Sequence, residues 1–223
     1  GDIASCRMEG WLEQSKRNIR YSFGMERSEL QPNPGMVVTS AILSRHPDAG
    51  VLALGDLAYK RGEPVAFSDC YDPYWGKAKE RTWPAPGNHE YHSLGANGYF
   101  DSLNSEIDAS EGSEQADWID KVLSGNPNAC IGAYFHRPAY SAVDRKKSEN
   151  AKLLFAKVAN AGGLFVLNGH NHFFERTLPL DAGGQPSPDG TTILVAGTGG
   201  KITGGHIPGD ERTADLITGV PGV

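Results

Sequence analysis

Short apolar runs alternate along this chain with segments whose apolar residues recur at helical spacing. Five runs are short enough for buried strands, and they begin at Val51, Thr82, Ala129, Leu164 and Thr191. Between them, residues 36–46, 113–125 and 148–162 predict helices. Ser113 and Ser148 are suitable N-caps for the last two helices. Because strands alternate with helices, the pattern favours an α/β fold.

Two parts of the chain show no such alternation. The first 34 residues are polar and irregular after the opening GDIAS, and the stretch after Lys201 has no regular pattern. The helices and strands that the pattern predicts therefore lie between residue 36 and Lys201.

Polar residues follow the apolar runs at the points where the predicted strands end. Asp56 follows VLALG, Asn88 and His89 follow PAPG, His136 follows IGAYF, and His170 follows FVLNG. Ligands of α/β sheets bind outside the carboxyl ends of the strands. We therefore expect these side chains to converge on one edge of the molecule.

Histidine is concentrated in these strand-end loops. Five of the seven histidines lie there, at positions 89, 92, 136, 170 and 172. On extended backbone, His170 and His172 would point to the same side, so each could hold one ion of a pair ~3.5–4 Å apart. Imidazole and carboxylate ligands suit zinc, iron, manganese and nickel.

Each of these signals has a simpler explanation when taken alone. A His-X-His pair is most often structural, and Asp56 could be a turn former or a helix cap. Asn88 could be a left-handed turn residue beside Gly87, and His136 could be a core histidine. Together, and in this order, they favour a metal site.

Composition narrows the classes of function. The chain has 223 residues, a net charge of −6 and no basic run, which disfavours binding to a nucleic-acid scaffold. It contains no apolar stretch near the ~18–20 residues of a membrane span. The cysteines at 6, 70 and 130 allow one disulfide at most, and isolated thiols are the favoured interpretation.

The motifs resemble those of the calcineurin-like metallophosphoesterase superfamily. They are Gly-Asp at 1–2, GDLAY at 55–59, GNHE at 87–90, His136 and GHNH at 169–172. The Asp-X-X-Tyr spacing and Ala4, two residues after Asp2, are similar to the purple acid phosphatase branch. The phrases VLALGDLAY, APGNHEYH, VLNGHNHFFER and AGTGGK resemble its bacterial secreted members.

The resemblance implies a fold and a compartment. The expected fold is a layered α/β/β/α sandwich, in which two mixed sheets are flanked by helices and the metal site lies at the strand carboxyl ends. A single catalytic domain would occupy residues 1–223. Secreted relatives imply an extracellular or periplasmic protein, although the chain shows no signal peptide.

The same resemblance assigns metal ligands. Asp2, Tyr59 and His172 would hold the first metal, with iron expected because phenolate suits a hard ion. The second metal, zinc, iron or manganese, would be held by Asn88, His136 and His170. Asp56 would bridge the two ions.

Other residues would face the substrate. His89 would be a proton donor or a phosphate binder, with Glu90 supporting it from behind. His92, Arg137 and Lys201 could touch phosphate oxygens, although an exposed loop position is the favoured interpretation for all three.

The implied reaction is hydrolysis of a small phosphate ester, in which hydroxide attacks phosphorus. An acid-phosphatase-like phosphomonoesterase is the first expectation. A phosphodiesterase or nucleotidase of the same fold is the alternative among enzymes, and an inactive metal- or phosphate-binding module is the alternative outside them. No membrane partner is expected, and the oligomeric state is left open.

The chain also departs from the family pattern. No strand precedes Gly1, an internal strand pair near residues 101–102 is absent, and the strands after Lys201 are missing or unrecognisable. We therefore expect Asp2 to fray from a free terminus, and sheet edges to be exposed.

Overall fold

The computed structural model describes residues 2–7, 31–62, 66–92, 107–143 and 148–222, apart from the side chains of Gln31 and His92. The strands of these ranges are β1 (Cys6–Arg7), β2 (Gln31–Pro32), β3 (Val51–Leu54), β4 (Thr82–Ala85), β5 (Gly132–Tyr134), β6 (Phe165–Asn168), β7 (Phe174–Thr177), β8 (Thr192–Ala196) and β9 (Thr213–Ile217). The α-helices are α1 (Pro34–Ser44), α2 (Glu114–Gly125) and α3 (Glu149–Asn160). Shorter helical turns are a π-helical turn at Phe67–Tyr71 and 3₁₀ turns at Trp75–Arg81 and Glu90–His92.

Two sheets carry the strand ends of interest. Strands β5, β6 and β8 are parallel neighbours, and β7 joins β8 and β9 by antiparallel pairing, so this mixed sheet has the order β5-β6-β8-β7-β9. Strands β3 and β4 form a smaller parallel sheet, and β1 pairs with β2 over two residues. The predicted α/β architecture, with two sheets flanked by helices, is confirmed.

The helices form where capping and apolar spacing predict them. The hydroxyls of Ser113 and Ser148 accept hydrogen bonds from the third amide of α2 and α3, which satisfies amides that helix geometry leaves unpaired. Helix α1 begins at Pro34, two residues earlier than predicted, because Asn33 caps it. Proline is well suited to a first helical turn.

Two apolar clusters hold these elements together. The larger packs α2 and α3 against the mixed sheet through Phe135, Leu154, Phe155, Val166 and Ile193. The smaller lies under β3 and joins it to α1 and to the amino-terminal segment through Ile3, Met36, Val51, Ala53 and Trp75. Burial of large apolar side chains is the main favourable term in both.

The expectation that Asp2 frays is wrong. The amides of Asp2, Ile3 and Ala4 donate to the carbonyls of Gly55, Asp56 and Leu57 over 2.8–2.9 Å. Both Asp2 and Ile3 are fully buried. Hydrogen bonds to the loop after β3 and the burial of Ile3 therefore hold this segment in place.

The interpretation of the cysteines as isolated thiols is also wrong for two of the three. Cys6 and Cys70 form a disulfide across 64 residues, while Cys130 is exposed and free. Spacing along the chain carried no information about this pair, because the partners meet only when β1 packs beside the π-helical turn.

The stretch after Lys201 has more structure than its sequence indicated. It contains β9, whose residues pair with those of β7 across a register shift beside Arg176 and Thr177. Both strands are short and partly exposed, so their apolar alternation is weak. The predicted absence of a strand pair near residues 101–102 falls outside the described residues and stays a prediction. Within the described ranges, every helix is too short or too polar to cross a membrane.

Candidate metal centre

The carboxyl ends of four strands, one parallel pair from each of the two sheets, meet at one place. Asp56 follows β3, Asn88 and His89 follow β4, His136 follows β5, and His170 follows β6. Nδ1 of His136 lies 2.8 Å from the carbonyl oxygen of Leu54, the last residue of β3. This contact joins the two sheets directly beneath the converging side chains.

One group of donor atoms surrounds the hydroxyl of Tyr59. It lies 2.6 Å from Oδ1 of Asp2, 2.9 Å from Oδ2 of Asp56 and 3.4 Å from Nε2 of His172. Nε2 of His172 is in turn 3.2 Å from Oδ1 of Asp2. We call these four residues the tyrosine cluster.

A second group surrounds Nε2 of His136. Oδ1 of Asn88 and Nδ1 of His170 each lie 3.2 Å from that nitrogen, and they are 3.1 Å from each other. Oδ2 of Asp56 lies 3.3 Å from the same nitrogen. We call these four residues the histidine cluster.

One oxygen belongs to both groups. Oδ2 of Asp56 contacts the hydroxyl of Tyr59 on one side and Nε2 of His136 on the other. Its other oxygen accepts a hydrogen bond from the amide of His89 over 3.0 Å. Asp56 is thus the only residue shared by the two clusters as defined here.

The donor set fits metal ions. Nδ1 of His136 faces a carbonyl oxygen, so it carries the proton of the neutral ring, and Nε2 presents a lone pair. That lone pair faces the oxygens of Asp56 and Asn88, which also have lone pairs to offer. Acceptors that face one another call for a cation or an added proton between them. Ligands held at ~2.0–2.2 Å by one ion stand about 3–3.5 Å apart, which is the spacing found here.

Three site residues have backbone strain. Among the described non-glycine residues, positive φ angles occur at Asp2 (60°), Asp56 (51°) and His170 (65°). Such angles are costly for residues with a Cβ and concentrate at functional sites. The assumption that His170 and His172 lie on extended backbone is wrong, because His170 turns the chain in the bend after β6. Its turn sends the two rings into different clusters.

Glu90 anchors the loops that carry Asp56 and Asn88. Its buried carboxylate accepts hydrogen bonds from the amides of Asp56, Leu57 and Gly87 over 2.8–2.9 Å. These hydrogen bonds tie the Glu90 carboxylate to backbone amides of both loops, and its support of the His89 ring stays a prediction. Burial, followed by the charge of Asp56, raises the pKa of Glu90 to about 7.

Gly87 lets the β4 loop approach Asp56 closely. A Cβ at this position would lie 2.2 Å from Oδ1 of Asp56 and 2.3 Å from its backbone nitrogen. Any side chain at position 87 would push these two loops apart. Gly87 is thus required because there is no space for a Cβ, and not because the chain must be flexible there.

In the metal-free protein the buried groups shift one another's pKa values. Burial opposes the charged form of His136, but the adjacent charge of Asp56 outweighs it and raises the pKa of His136 to about 9. Burial, and then the charge of His136, lower the pKa of His170 to about 3. For Asp56, burial acts upward, but His136 and His89 together hold its pKa well below the usual range. Burial, followed by Asp2 and Asp56, raises the pKa of Tyr59.

His89 lies beside the tyrosine cluster. Its ring centroid is 4.4 Å from that of Tyr59, and its Nδ1 lies 2.5 Å from the carbonyl oxygen of Lys60. Nε2 is 3.9 Å from Oδ2 of Asp56, and the side chain is 28% exposed. The ring is therefore fixed at one nitrogen and turns the other toward the site and the solvent.

The remaining predicted contacts are spread around the site. Nη1 of Arg137 lies 3.3 Å from Nε2 of His170. The backbone of His92 lies in the 3₁₀ turn after β4, and its side chain is outside the described part. Lys201 is not the exposed loop residue that the sequence favoured, because its ammonium lies 3.5 Å from the centroid of the Tyr59 ring. In the sequence, only Gly199 and Gly200, which precede Lys201, indicated that it lies close to the site.

Structural similarity supports the same fold that the motifs indicated. The sequence matches no family model and no curated protein. The purple acid phosphatase PPD1 from yellow lupin (Lupinus luteus) seeds superposes with a TM-score of 0.64 at 18% identity, over 84% of this chain and 44% of that one. GAP50, described as the anchor in the inner membrane complex of Plasmodium, gives 0.63 at 11% identity, over 84% and 75%. The chain has the metallophosphoesterase fold, and it spans less than half the length of the lupin phosphatase.

Proposed function

We propose that this chain is a phosphoric ester hydrolase that works with two metal ions, and that phosphomonoesters are its substrates. The position of Oδ2 of Asp56 in both donor clusters carries the proposal. One oxygen shared by two clusters of donors suits a pair of ions that act on one phosphoryl group.

The residues divide between the two ions by their contacts. Asp2, Tyr59 and His172 would hold the first ion, Asn88, His136 and His170 would hold the second, and Asp56 would bridge them. Iron suits the first site because phenolate is a hard ligand, and zinc, iron or manganese suit the second. When bound, the ions supply charge neutralisation at the phosphoryl oxygens and lower the pKa of water.

The chain's own residues prepare this site before any ion arrives. Glu90 fixes the loops of Asp56 and Gly87, and the carbonyl of Leu54 fixes the ring of His136. Residues held in this way need little rearrangement when they bind. The partial exposure of His89 and His172, at 28% and 22%, leaves an approach from solvent.

His89 is the proton donor in this proposal. With Nδ1 held by the carbonyl of Lys60, Nε2 is the atom that gives a proton to the leaving oxygen of the ester. Arg137, beside His170, and His92 are the proposed contacts for phosphoryl oxygens. Arginine suits this task because its guanidinium matches phosphate geometry.

The disulfide supports the proposed compartment. Cys6–Cys70 is a bond of the kind that persists in oxidising surroundings. An extracellular or periplasmic location is therefore part of the proposal.

A second candidate, a binding module without turnover, is favoured by one observation. The fold is shared with GAP50, which is described as an anchor. In that case the donor clusters would serve metal or phosphate binding alone.

Metal analysis beside ester hydrolysis separates the two candidates. The purified chain is loaded with iron and zinc, counted by elemental analysis, and assayed with a phosphate monoester and a phosphate diester. Two ions per chain with monoester turnover is the expected result. Bound metal without turnover of either ester would favour the binding module, and a chain that binds neither metal nor inorganic phosphate would refute both.

A further inference from the structure

Lys201 lies at the edge of the tyrosine cluster, and the proposed function gives it no role. Its ammonium sits 3.5 Å from the centroid of the Tyr59 ring, and its amide donates a hydrogen bond to the carbonyl of Asp2 over 3.0 Å. Both ties lead to proposed metal ligands. The lysine is thus held beside the site by its backbone and by its side chain.

The backbone before Lys201 is clamped in place. A Cβ on Gly200 would lie 1.7 Å from the carbonyl oxygen of Ile3, so only glycine fits there. The hydroxyl of Thr39 in α1 donates a hydrogen bond to the carbonyl of Gly199. Since Ile3 and Thr39 are both fully buried, the lysine extends from a fixed part of the chain. A cation held in this way loses little conformational freedom when it binds an anion.

The charges around this ammonium leave it available to an incoming anion. Burial lowers the pKa of the Lys201 ammonium, the carboxylates of Asp2 and Asp56 act in the opposite direction, and the neighbouring charge of Lys60 lowers it further. Both carboxylates are already engaged by Tyr59, by histidines and by backbone amides. Bound ions would engage them further. The positive charges of Lys201 and Lys60 then remain near one another, and an anion bound to Lys201 would reduce their repulsion.

We propose that Lys201 is a substrate-binding residue that contacts the phosphoryl oxygens and selects the dianion of a phosphate monoester over the monoanion of a diester. The inference rests on the proposed function and decides between its two ester classes. A phosphate monoester has a second pKa near ~6, so it carries nearly two charges at neutral pH. A diester carries one charge. Coulomb attraction to a fixed cation is therefore about twice as large for the monoester.

The test compares two esters that share one leaving group. Nitrophenyl phosphate and bis(nitrophenyl) phosphate are assayed with the metal-loaded wild type, Lys201→Met and Lys201→Arg. We expect Lys201→Met to lose about ten- to a hundredfold in kcat/KM for the monoester, mostly through KM, as for the loss of a hydrogen bond to a charged group. The diester should lose less than the monoester. Lys201→Arg should keep most of the monoester rate because it keeps the charge.

Lys152→Met is the matched control. Lys152 pairs with Glu149 within helix α3, outside the strand-end loops. It should behave as wild type with both esters. An equal loss for the two esters in Lys201→Met would overturn the proposal, as would a loss of bound metal.

Binding of inorganic phosphate tests the contact without catalysis. Calorimetric titration of the metal-loaded proteins should show affinity falling about tenfold or more in Lys201→Met, for the same physical reason. If the wild type hydrolyses neither ester, the proposed function fails. The titration then tests the contact between Lys201 and phosphate by itself. Unchanged phosphate affinity would then refute the contact. Lys201→Gln repeats both measurements if the methionine variant unfolds at a lower temperature than wild type.

Discussion

The hydroxyl of Tyr59 donates a hydrogen bond of 2.6 Å to the carboxylate of Asp2, 57 residues earlier in the chain. The bond closes the tyrosine cluster and keeps the amino-terminal segment against the loop after β3. It also places a phenol oxygen among carboxylate and imidazole donors, where a hard ion would turn it into a phenolate ligand.

If iron occupies the tyrosine cluster, the loaded protein should be coloured by tyrosinate-to-iron charge transfer. Tyr59→Phe removes the oxygen and should bleach the visible band while leaving the fold intact. The visible spectrum beside the iron content measures this. Tyr134→Phe, at a half-buried tyrosine of β5, is the control and should keep its colour. A colourless, iron-free and fully active wild type would reject iron in this cluster.

Removal of Asp56 should cost more metal than removal of any other single ligand. Asp56→Asn weakens the one oxygen that the two clusters share, so both ions should be lost on dialysis. His172→Ala should mainly weaken the first. Elemental analysis after dialysis counts the ions, with Asp120→Asn on the surface of α2 as the control. Two ions retained in Asp56→Asn would contradict the bridging role.

Replacement of His89 should affect esters according to their leaving group. An alkyl alcohol needs a proton as its bond to phosphorus breaks, so His89→Ala should slow an alkyl phosphate by ~10²–10⁴-fold. A nitrophenyl phosphate should lose much less, because nitrophenolate departs as an anion. The measurement is kcat for both esters, and the exposed His46→Ala is the control. A uniform loss would assign His89 to phosphate binding, and a loss of metal would make it a ligand.

Replacement of Glu90 should loosen both loops together. Glu90→Gln leaves one acceptor oxygen and turns a donor group toward buried amides, and each unsatisfied amide costs about 1–3 kcal/mol. We expect a lower free energy of unfolding, measured in urea, and metal loss at lower chelator concentration. The exposed Glu149→Gln should match wild type in both. An unchanged metal affinity would show that the loops hold their positions without this carboxylate.

The same residue predicts a pH dependence in the metal-free protein. The pKa of Glu90 rises from an ordinary 4.5 to about 7 on folding, so the folded chain binds this proton more tightly than the unfolded chain. Its contribution to stability is therefore complete below pH 4.5 and is lost as the pH rises through 7. The stability difference between wild type and Glu90→Gln should narrow across this range. If this stability difference instead widened as the pH rises, folding would lower the pKa of Glu90 and the prediction would be wrong.

Loss of the disulfide should destabilise the segment that carries Asp2. A crosslink that closes a loop of this length restricts the unfolded chain by about 4 kcal/mol in the chain-entropy model. The double variant Cys6→Ala, Cys70→Ala should therefore unfold at lower urea concentration and bind the first ion more weakly. Cys130→Ser, at the free exposed cysteine, should do neither. Equal stability with and without reductant would show that the bond contributes little.

The sequence predicted that the side chains of Asp56, Asn88, His136 and His170 converge, because each follows an apolar run that ends at the same edge of the molecule. The contacts among these four side chains confirm the convergence. The role of Glu90 escaped, because its partners are backbone amides that look alike in every sequence. The pairing of Cys6 with Cys70, the pairing of β9 with β7 and the position of Lys201 all depend on long-range packing. Short sequence patterns carry no information about such long-range packing.

The contacts of Asp56 explain why the four residues of the GNHE motif must follow one another without a gap. Gly87 passes against its carboxylate, the amide of His89 binds that carboxylate, and the side chain of Glu90 binds its amide. Asn88, between them, reaches across to His136. Each residue of the motif thus makes its own contact, and the backbone from Gly87 to Glu90 has no spare length. One residue inserted anywhere within this motif would break at least one contact, and three of its four residues contact a single aspartate 31–34 positions upstream.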